Sequence, residues 1–154
     1  QGRSLPFSFV RLLLLALLLA AAPLRAQPQE GLPVLQLNAG MHLIRAELAA
    51  DYPGPMRGLM FRASMPVNAG MLFIFEEAAP QCMWMKNTLI PLSVAFMDDG
   101  GAIINIEDMQ PQTEDSHCAR KPARYALEMN KGWFAARGIK PGSRIGGIPG
   151  IKQP

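Results

Sequence analysis

Short apolar segments separated by turn residues make up most of the chain after residue 33. Segments of this length that are rich in β-branched and aromatic residues are typical of β-strands. Two hairpins are expected, one turning at Ala39-Gly40 and one at Asp99-Gly100, since Asp-Gly tolerates the positive φ angles of tight turns. The pattern predicts eight strands, over residues 34–38, 42–49, 70–75, 82–86, 93–98, 102–109, 124–129 and 144–148.

Two segments depart from this strand pattern and predict short helices. In residues 53–63 the apolar side chains recur at positions i, i+3, i+4 and i+7, which places them on one stripe of a helix. These side chains are Met56, Leu59, Met60 and Ala63. Residues 130–138 have Asn130 as an N-cap and Gly138 as a stop signal. We therefore predict a mainly β, compact, sandwich-like or barrel-like single domain with two short helices packed on the sheet.

The first 26 residues have the arrangement of a secretory signal peptide. Arginines near the start precede an unbroken apolar run, Leu12 to Ala22, and a small residue follows at Ala26. The run holds eleven residues, whereas a bilayer core about 30 Å thick requires roughly 20 for a stable anchor. We predict cleavage near Ala26, export to the periplasm or the medium, and no membrane span in the mature protein. An uncleaved anchoring helix is the alternative. Residues 27–33 are predicted to be a flexible lead-in and residues 34–154 a single β-rich domain.

Removing this leader also removes the positive charge of the chain. The sequence has 15 Lys and Arg residues against 12 Asp and Glu residues, but three arginines precede the predicted cut, which leaves 12 against 12. A near-neutral domain without a basic run gives no electrostatic reason to expect a nucleic-acid partner.

The two cysteines, Cys82 and Cys118, are predicted to form a disulfide, because exported cysteines that can meet usually pair. A buried pair of free thiols and a soft-metal site remain alternatives. In the metal alternative, Cu(I) would be bound by Met83, Met85, Cys82 and His117. Methionine is also a common filler of apolar cores, and the two histidines of the chain are isolated, so no cofactor is predicted.

A scan for catalytic motifs favours a non-enzymatic protein. The chain has neither a GxSxG elbow nor a glycine-rich phosphate loop. His117 and Cys118 are neighbours, and neighbours in an extended chain point to opposite sides, which is poor geometry for a nucleophile and its base. Paired acids such as Glu76-Glu77 lie at predicted turns, where solvated charges are the ordinary interpretation.

Several polar residues stand inside or beside apolar segments, and they are the candidates for a site. Lys86-Asn87-Thr88 ends a predicted strand, and we expect Lys86 to meet an acid such as Glu128 or Asp98, because a cation beside a packed layer needs a compensating charge. Two interpretations are open: a structural ion pair with a helix cap, or a small polar pocket at one end of the sheet.

Five motifs resemble those of one protein family. The chain is similar, from about residue 34 to residue 148, to the domain of unknown function 192 family, also called uncharacterised protein family 0127. The resemblance implies a compact β-sandwich-like domain, in bacteria often exported, and it implies no activity, because the role of the family is unassigned. The motifs are MRGLMFR at 56–62, GMLFIF at 70–75, WMKNTLIPL at 84–92, YALEMN at 125–130 and GIKPG at 138–142.

The resemblance also indicates which polar residues occupy the motif positions of the family. Many relatives have an aromatic residue where this chain has Met83, and the pair Cys82 and Cys118 is not common to the family, so the disulfide is interpreted as a stabiliser of a subgroup. Eight residues occupy motif positions and are the candidates for a shared ligand-binding pocket: Arg57, Arg62, Trp84, Lys86, Asn87, Thr88, Glu128 and Asn130.

The function predicted from the sequence is that of an exported, non-enzymatic binding or accessory module. Its ligand is expected to be a small anionic molecule or an extended peptide, held around Lys86, Asn87 and Arg57. A copper-binding protein and a pure scaffold, in which the polar cluster is structural, are the alternatives.

Overall fold

The computed structural model describes residues 26–50 and 57–152. Within these ranges the chain forms nine β-strands and one 3-10 helix, Ala135–Arg137. The prediction of a mainly β, barrel-like fold is confirmed. The strands are β1 Val34–Ala39, β2 His42–Ala50, β3 Ala69–Ala79, β4 Cys82–Met83, β5 Leu92–Met97, β6 Ile103–Met109, β7 His117–Cys118, β8 Ala123–Asn130 and β9 Ile145–Gly146.

Seven of the strands form one curled sheet in the order β6-β5-β8-β3-β2-β1-β9, and β4 and β7 form a second, two-stranded sheet. Strands β2 and β3 are parallel, while the other pairs are antiparallel. The two edges of the large sheet meet where Ala102 bridges Arg144 and the Ile145 amide donates to the Gly101 carbonyl at 3.0 Å. The large sheet is therefore a half-barrel whose edges touch at one end.

The central strands of the half-barrel are buried on both faces. All six residues of β5 are buried, which agrees with its continuous apolar sequence. One apolar cluster draws on all seven strands of the large sheet and fills its concave side. A second cluster covers the convex side, where connecting segments contribute Leu59, Met85 and Ile90. Strands β3, β5 and β8 alternate their side chains between these two clusters.

Both predicted hairpins are present, and the second has a longer turn than expected. Strand β1 pairs with β2 up to Ala39 and His42, which leaves a two-residue turn. Between β5 and β6 the Asp98 amide donates to the Ala102 carbonyl at 3.0 Å, so three residues form the loop. Gly101, with φ of 77°, supplies the left-handed residue that such a loop requires.

The first predicted helix is not a helix in its described part. Residues 53–56 of the predicted segment lie outside the described residues, and residues 58–61 form a turn. Gly58 and Phe61 have φ of 53° and 64°, which a right-handed helix excludes. The Phe61 amide donates to the Asn87 carbonyl at 2.9 Å, so a tertiary hydrogen bond replaces the helical one. Leu59 is buried, as its stripe position predicts.

The second predicted helix shortens to the single 3-10 turn Ala135–Arg137. Asn130 does not cap it but ends β8. Gly138 stops the turn as predicted, in a left-handed conformation with φ of 65°. Trp133 and Phe134, just before the turn, are buried in the concave cluster. Across the described ranges, no helix has the length and apolar character that a membrane crossing requires.

Candidate functional site

Glu128 lies near the end of β8, on the convex face of the half-barrel. Its chain neighbours Leu127 and Met129 belong to the concave cluster, so alternation along the strand turns Glu128 to the other side. There its partners across the sheet are Val94 of β5 and Met71 of β3, both fully buried. Glu128 itself is only 5% exposed. The sheet thus places a carboxyl group between two apolar side chains.

This burial controls the charge of the carboxyl group. It raises the pKa of Glu128 from 4.5 to about 8, because the charged form loses its hydration. Among residues 26–50 and 57–152, no side chain makes a hydrogen bond or an ion pair with Glu128 that would compensate. At neutral pH most molecules therefore carry Glu128 as the neutral acid.

A cavity of about 300 Å³ opens beside Glu128, and we call it the Glu128 cavity. The loop after residue 56, strands β3, β4 and β8, and the turn after β4 contribute to its walls. Gly58, which lies beside the Phe73 ring, has φ of 53°, a left-handed conformation that favours glycine. The lining is mostly apolar and consists of Arg57, Gly58, Leu59, Met60, Phe73, Cys82, Met83, Trp84, Thr88 and Glu128.

Trp84 stands at the cavity with 48% of its surface exposed. The ammonium group of Lys86 lies 5.2 Å from the centre of the Trp84 ring and 3.6 Å from Glu114 Oε1. Lys86 meets an acid as predicted, but the acid is Glu114 rather than Glu128 or Asp98. The Lys86 side chain is 49% exposed, so it reaches an acid at the surface without entering the packed layer.

Asn87 and Thr88 belong to a turn rather than to a strand. The Thr88 amide donates to the Met85 carbonyl at 3.1 Å, which closes the turn and ends β4 earlier than predicted. Asn87 has φ of 55°, a left-handed conformation that asparagine tolerates better than most residues. The Asn87 carbonyl accepts from Phe61, and this bond joins the turn to the loop on the other side of the Glu128 cavity.

Arg62 and Asn130 have structural partners away from the Glu128 cavity. Arg62 makes a two-pronged ion pair with Glu47 and also donates to the Gln29 carbonyl at 2.8 Å. The Asn130 amide donates to the carbonyls of Met65 and Pro66, at 3.2 and 3.1 Å. Both side chains fasten the connection between β2 and β3 to the sheet.

The eight predicted site residues therefore divide into two groups. Arg57, Trp84, Thr88 and Glu128 line one cavity, while the other four make contacts elsewhere. Sequence reasoning missed the apolar walls, Phe73 and Met60 above all. Alternation along β3 would place Phe73 on the same face as its neighbour Met71, but nothing in the sequence says that β3 lies beside β8.

The four residues that the copper hypothesis requires do not come together as a metal site. Cys82 and Cys118 form the predicted disulfide, which joins β4 to β7 and removes the thiolate. Met85 is fully buried in the convex cluster, whereas Met83 and His117 face each other across the small sheet. The described part of the chain has no group of three or more His, Cys, Asp or Glu side chains that could hold a metal ion.

Two solved structures are similar to this chain in both sequence and fold. A candidate transcription regulator from Sinorhizobium meliloti 1021 is 36% identical, with a TM-score of 0.72, over 77% of this chain and 97% of that protein. A protein of unknown function from Novosphingobium aromaticivorans DSM 12444 is 34% identical, with a TM-score of 0.71, over 82% and 93%. The comparison with curated proteins returns no match. The profile of the DUF192 family, described as Uncharacterized ACR, matches residues 34–147, and the chain therefore belongs to the DUF192 family.

Proposed function

We propose that the protein binds a small, mostly apolar ligand in the Glu128 cavity. The observation that carries this proposal is the buried carboxyl of Glu128, which has no side-chain partner among the described residues and lines an open, apolar cavity. A buried acid that lines a cleft lowers stability, because burial disfavours its charged form. Such a group is retained where a ligand supplies the missing hydrogen bonds, and perturbed acids in clefts are typical of functional sites.

The size of the cavity favours a small molecule over a peptide. A volume of about 300 Å³ is at the lower end of the range of ligand pockets. It accommodates a ligand body of a few carbons or one aromatic ring, whereas an extended peptide would place no more than one side chain in it. The anionic ligand expected around Lys86, Asn87 and Arg57 is not favoured, because only Arg57 of these three lines the cavity and Glu128 is the acid beside it.

The proposed role remains that of an exported accessory module. The disulfide between Cys82 and Cys118 supports export, because such bonds persist in oxidising compartments. A role in transcription, which the name of the Sinorhizobium protein suggests, is not proposed.

The proposal is tested by a fragment screen with a matched pair of variants. Ligand-observed NMR would identify binders. Met83→Trp places a larger side chain on β4 and so narrows the Glu128 cavity. Met41→Trp is the control, because Met41 is a turn residue that is 88% exposed and does not line the Glu128 cavity. Binders should be lost in Met83→Trp and retained in Met41→Trp. A screen in which no binder distinguishes the two variants would overturn the proposal.

A further inference from the structure

The chemistry of Glu128 and its neighbours across the sheet limits which ligand group can bind to its carboxyl group. An ionised carboxylate only accepts hydrogen bonds, through two oxygens, and an ammonium group only donates them, through three N–H groups. The nearest residues across the sheet, Val94 and Met71, offer neither donors nor charge. An ammonium group is therefore the ligand group that best satisfies a carboxylate at this position.

The walls of the cavity also suit a cation with an apolar body. Phe73 and Trp84 contribute aromatic rings, whose faces attract cations, and the Lys86 ammonium group already lies 5.2 Å from the centre of the Trp84 ring. Met60 and Met83 add polarisable thioethers, which adapt to differently shaped apolar groups.

The charged groups near Glu128 do not change this preference for an ammonium ligand. Val94, Met71 and Phe73, which face Glu128 from β5 and β3, do not ionise, and Cys82 of β4 is in a disulfide. Lys86 is paired with Glu114 outside the cavity. Arg57 is the one cation among the described lining residues. It is exposed, and it donates to the Gln27 carbonyl at 2.9 Å, so solvent screens its repulsion of a ligand cation.

We infer that the ligand of the Glu128 cavity is an amine, bound through its ammonium group to the Glu128 carboxylate with its apolar part against Phe73 and Trp84. This inference rests on the proposed function and specifies its ligand class. Protons balance as follows: an amine that arrives as ammonium displaces the Glu128 proton to the solvent, and an amine that arrives neutral accepts that proton itself.

Binding should therefore be coupled to proton release. At pH 7 a carboxyl group with a pKa of about 8 is protonated in about nine-tenths of the molecules. Each ammonium ligand bound at this pH should release nearly one proton. Affinity should rise about tenfold from pH 7 to pH 9, as Glu128 ionises, and then fall near pH 10, where a simple amine loses its own charge.

Three probes of one shape separate the outcomes: 2-phenylethylamine, 2-phenylethanol and phenylacetate. Titration calorimetry at pH 7, in two buffers with different ionisation enthalpies, measures affinity and proton release together. The amine should bind at least about tenfold more tightly than the alcohol, with phenylacetate weakest. Glu128→Gln has nearly the same shape and should abolish the preference and the proton release. Arg57→Gln should change amine binding by less than about twofold, because solvent already screens the charge of Arg57.

The failures of the two proposals are distinguishable. If the alcohol binds as tightly as the amine, and Met83→Trp blocks both, the amine inference is overturned while the binding cavity stands. If phenylacetate binds most tightly, the amine inference is likewise overturned, and Arg57 becomes the anchoring residue. If the amine binds without a proton released, Glu128 is not its partner. A fragment screen without any cavity-dependent binder overturns the proposed function and the amine inference together.

Discussion

Replacing Glu128 by Gln should change how the stability of the protein depends on pH. Burial raises the pKa of Glu128 from 4.5 to about 8 in the folded protein, whereas the unfolded chain hydrates the carboxyl group and keeps its ordinary pKa. Between these two values the folded state retains a proton that the unfolded state has released. The free energy of unfolding of the wild type should therefore fall by about 1.4 kcal/mol per pH unit as the pH rises through this window.

The size of this stability loss follows from the interval between the two pKa values of Glu128. The neutral acid is the form that burial tolerates, so its contribution is complete below pH 4.5 and is lost as the pH rises to about 8. The total loss is on the order of 5 kcal/mol, of which about 4 kcal/mol falls between pH 5 and pH 8. Gln is neutral throughout, so the variant lacks this decline. Its amide has no described partner, and neither has the neutral acid, so the two side chains should have similar effects on stability where Glu128 is neutral.

Urea unfolding of the wild type and Glu128→Gln at pH 5, 6, 7 and 8 measures the effect. The two proteins should have similar stability at pH 5, and the variant should be the more stable one at pH 8. Glu114→Gln is the matched control, because Glu114 is an exposed acid in a surface ion pair, and its difference from the wild type should stay within about 1 kcal/mol. If the stability difference between wild type and Glu128→Gln were the same at all four pH values, the reasoning would be refuted. Such a result would mean that Glu128 is ionised in the folded protein.

Three further predictions concern the elements around the Glu128 cavity. Cys118→Ser should lower the free energy of unfolding by up to about 4 kcal/mol, because Cys82 and Cys118 are 36 residues apart and the disulfide restricts the unfolded chain; reducing the wild type should have the same effect in urea, and an unchanged midpoint would contradict it. Lys86→Ala should change stability by less than about 1 kcal/mol, because its ion pair is exposed, and a larger loss in thermal unfolding would mean that Lys86 supports the cavity. Asn87→Val should destabilise the protein by about 1–2 kcal/mol, because a β-branched residue resists the left-handed conformation of Asn87. Asn87→Gly should be tolerated, because glycine adopts that conformation readily. Equal unfolding midpoints of the two variants would count against a strained turn.

The local signals in the sequence were sufficient where short-range chemistry decides the outcome. Strand positions follow from alternation and turn residues, and the hairpin turn at Gly40 and the stop at Gly138 are where they were predicted. The disulfide follows from two cysteines and an expected oxidising compartment. The helix predicted over residues 53–63 fails in its described part for a tertiary reason. The spacing of Leu59 and Met60 suits a helix, but Phe61 donates to the carbonyl of Asn87 in a distant segment.

For the candidate site, the sequence identified the acid but not its surroundings. Glu128 is conspicuous as an acid within the apolar segment YALEM, and the motif resemblance singles it out as well. Lys86 is equally conspicuous, yet its partner is Glu114 at the surface. A sequence shows that a buried charge needs compensation, but it does not show how far a long side chain reaches toward water.

What the sequence by itself determined is therefore the class of fold, the positions of eight of the nine described strands, and the polar residues that stand among apolar ones. The tertiary structure alone decided that β8 lies between β3 and β5, and that Val94 and Met71 flank Glu128. Alternation along a strand depends only on near neighbours, whereas the pairing of strands joins segments that are far apart in the chain. The pKa of Glu128 depends on that pairing, and so does the cavity in which we propose that a ligand binds.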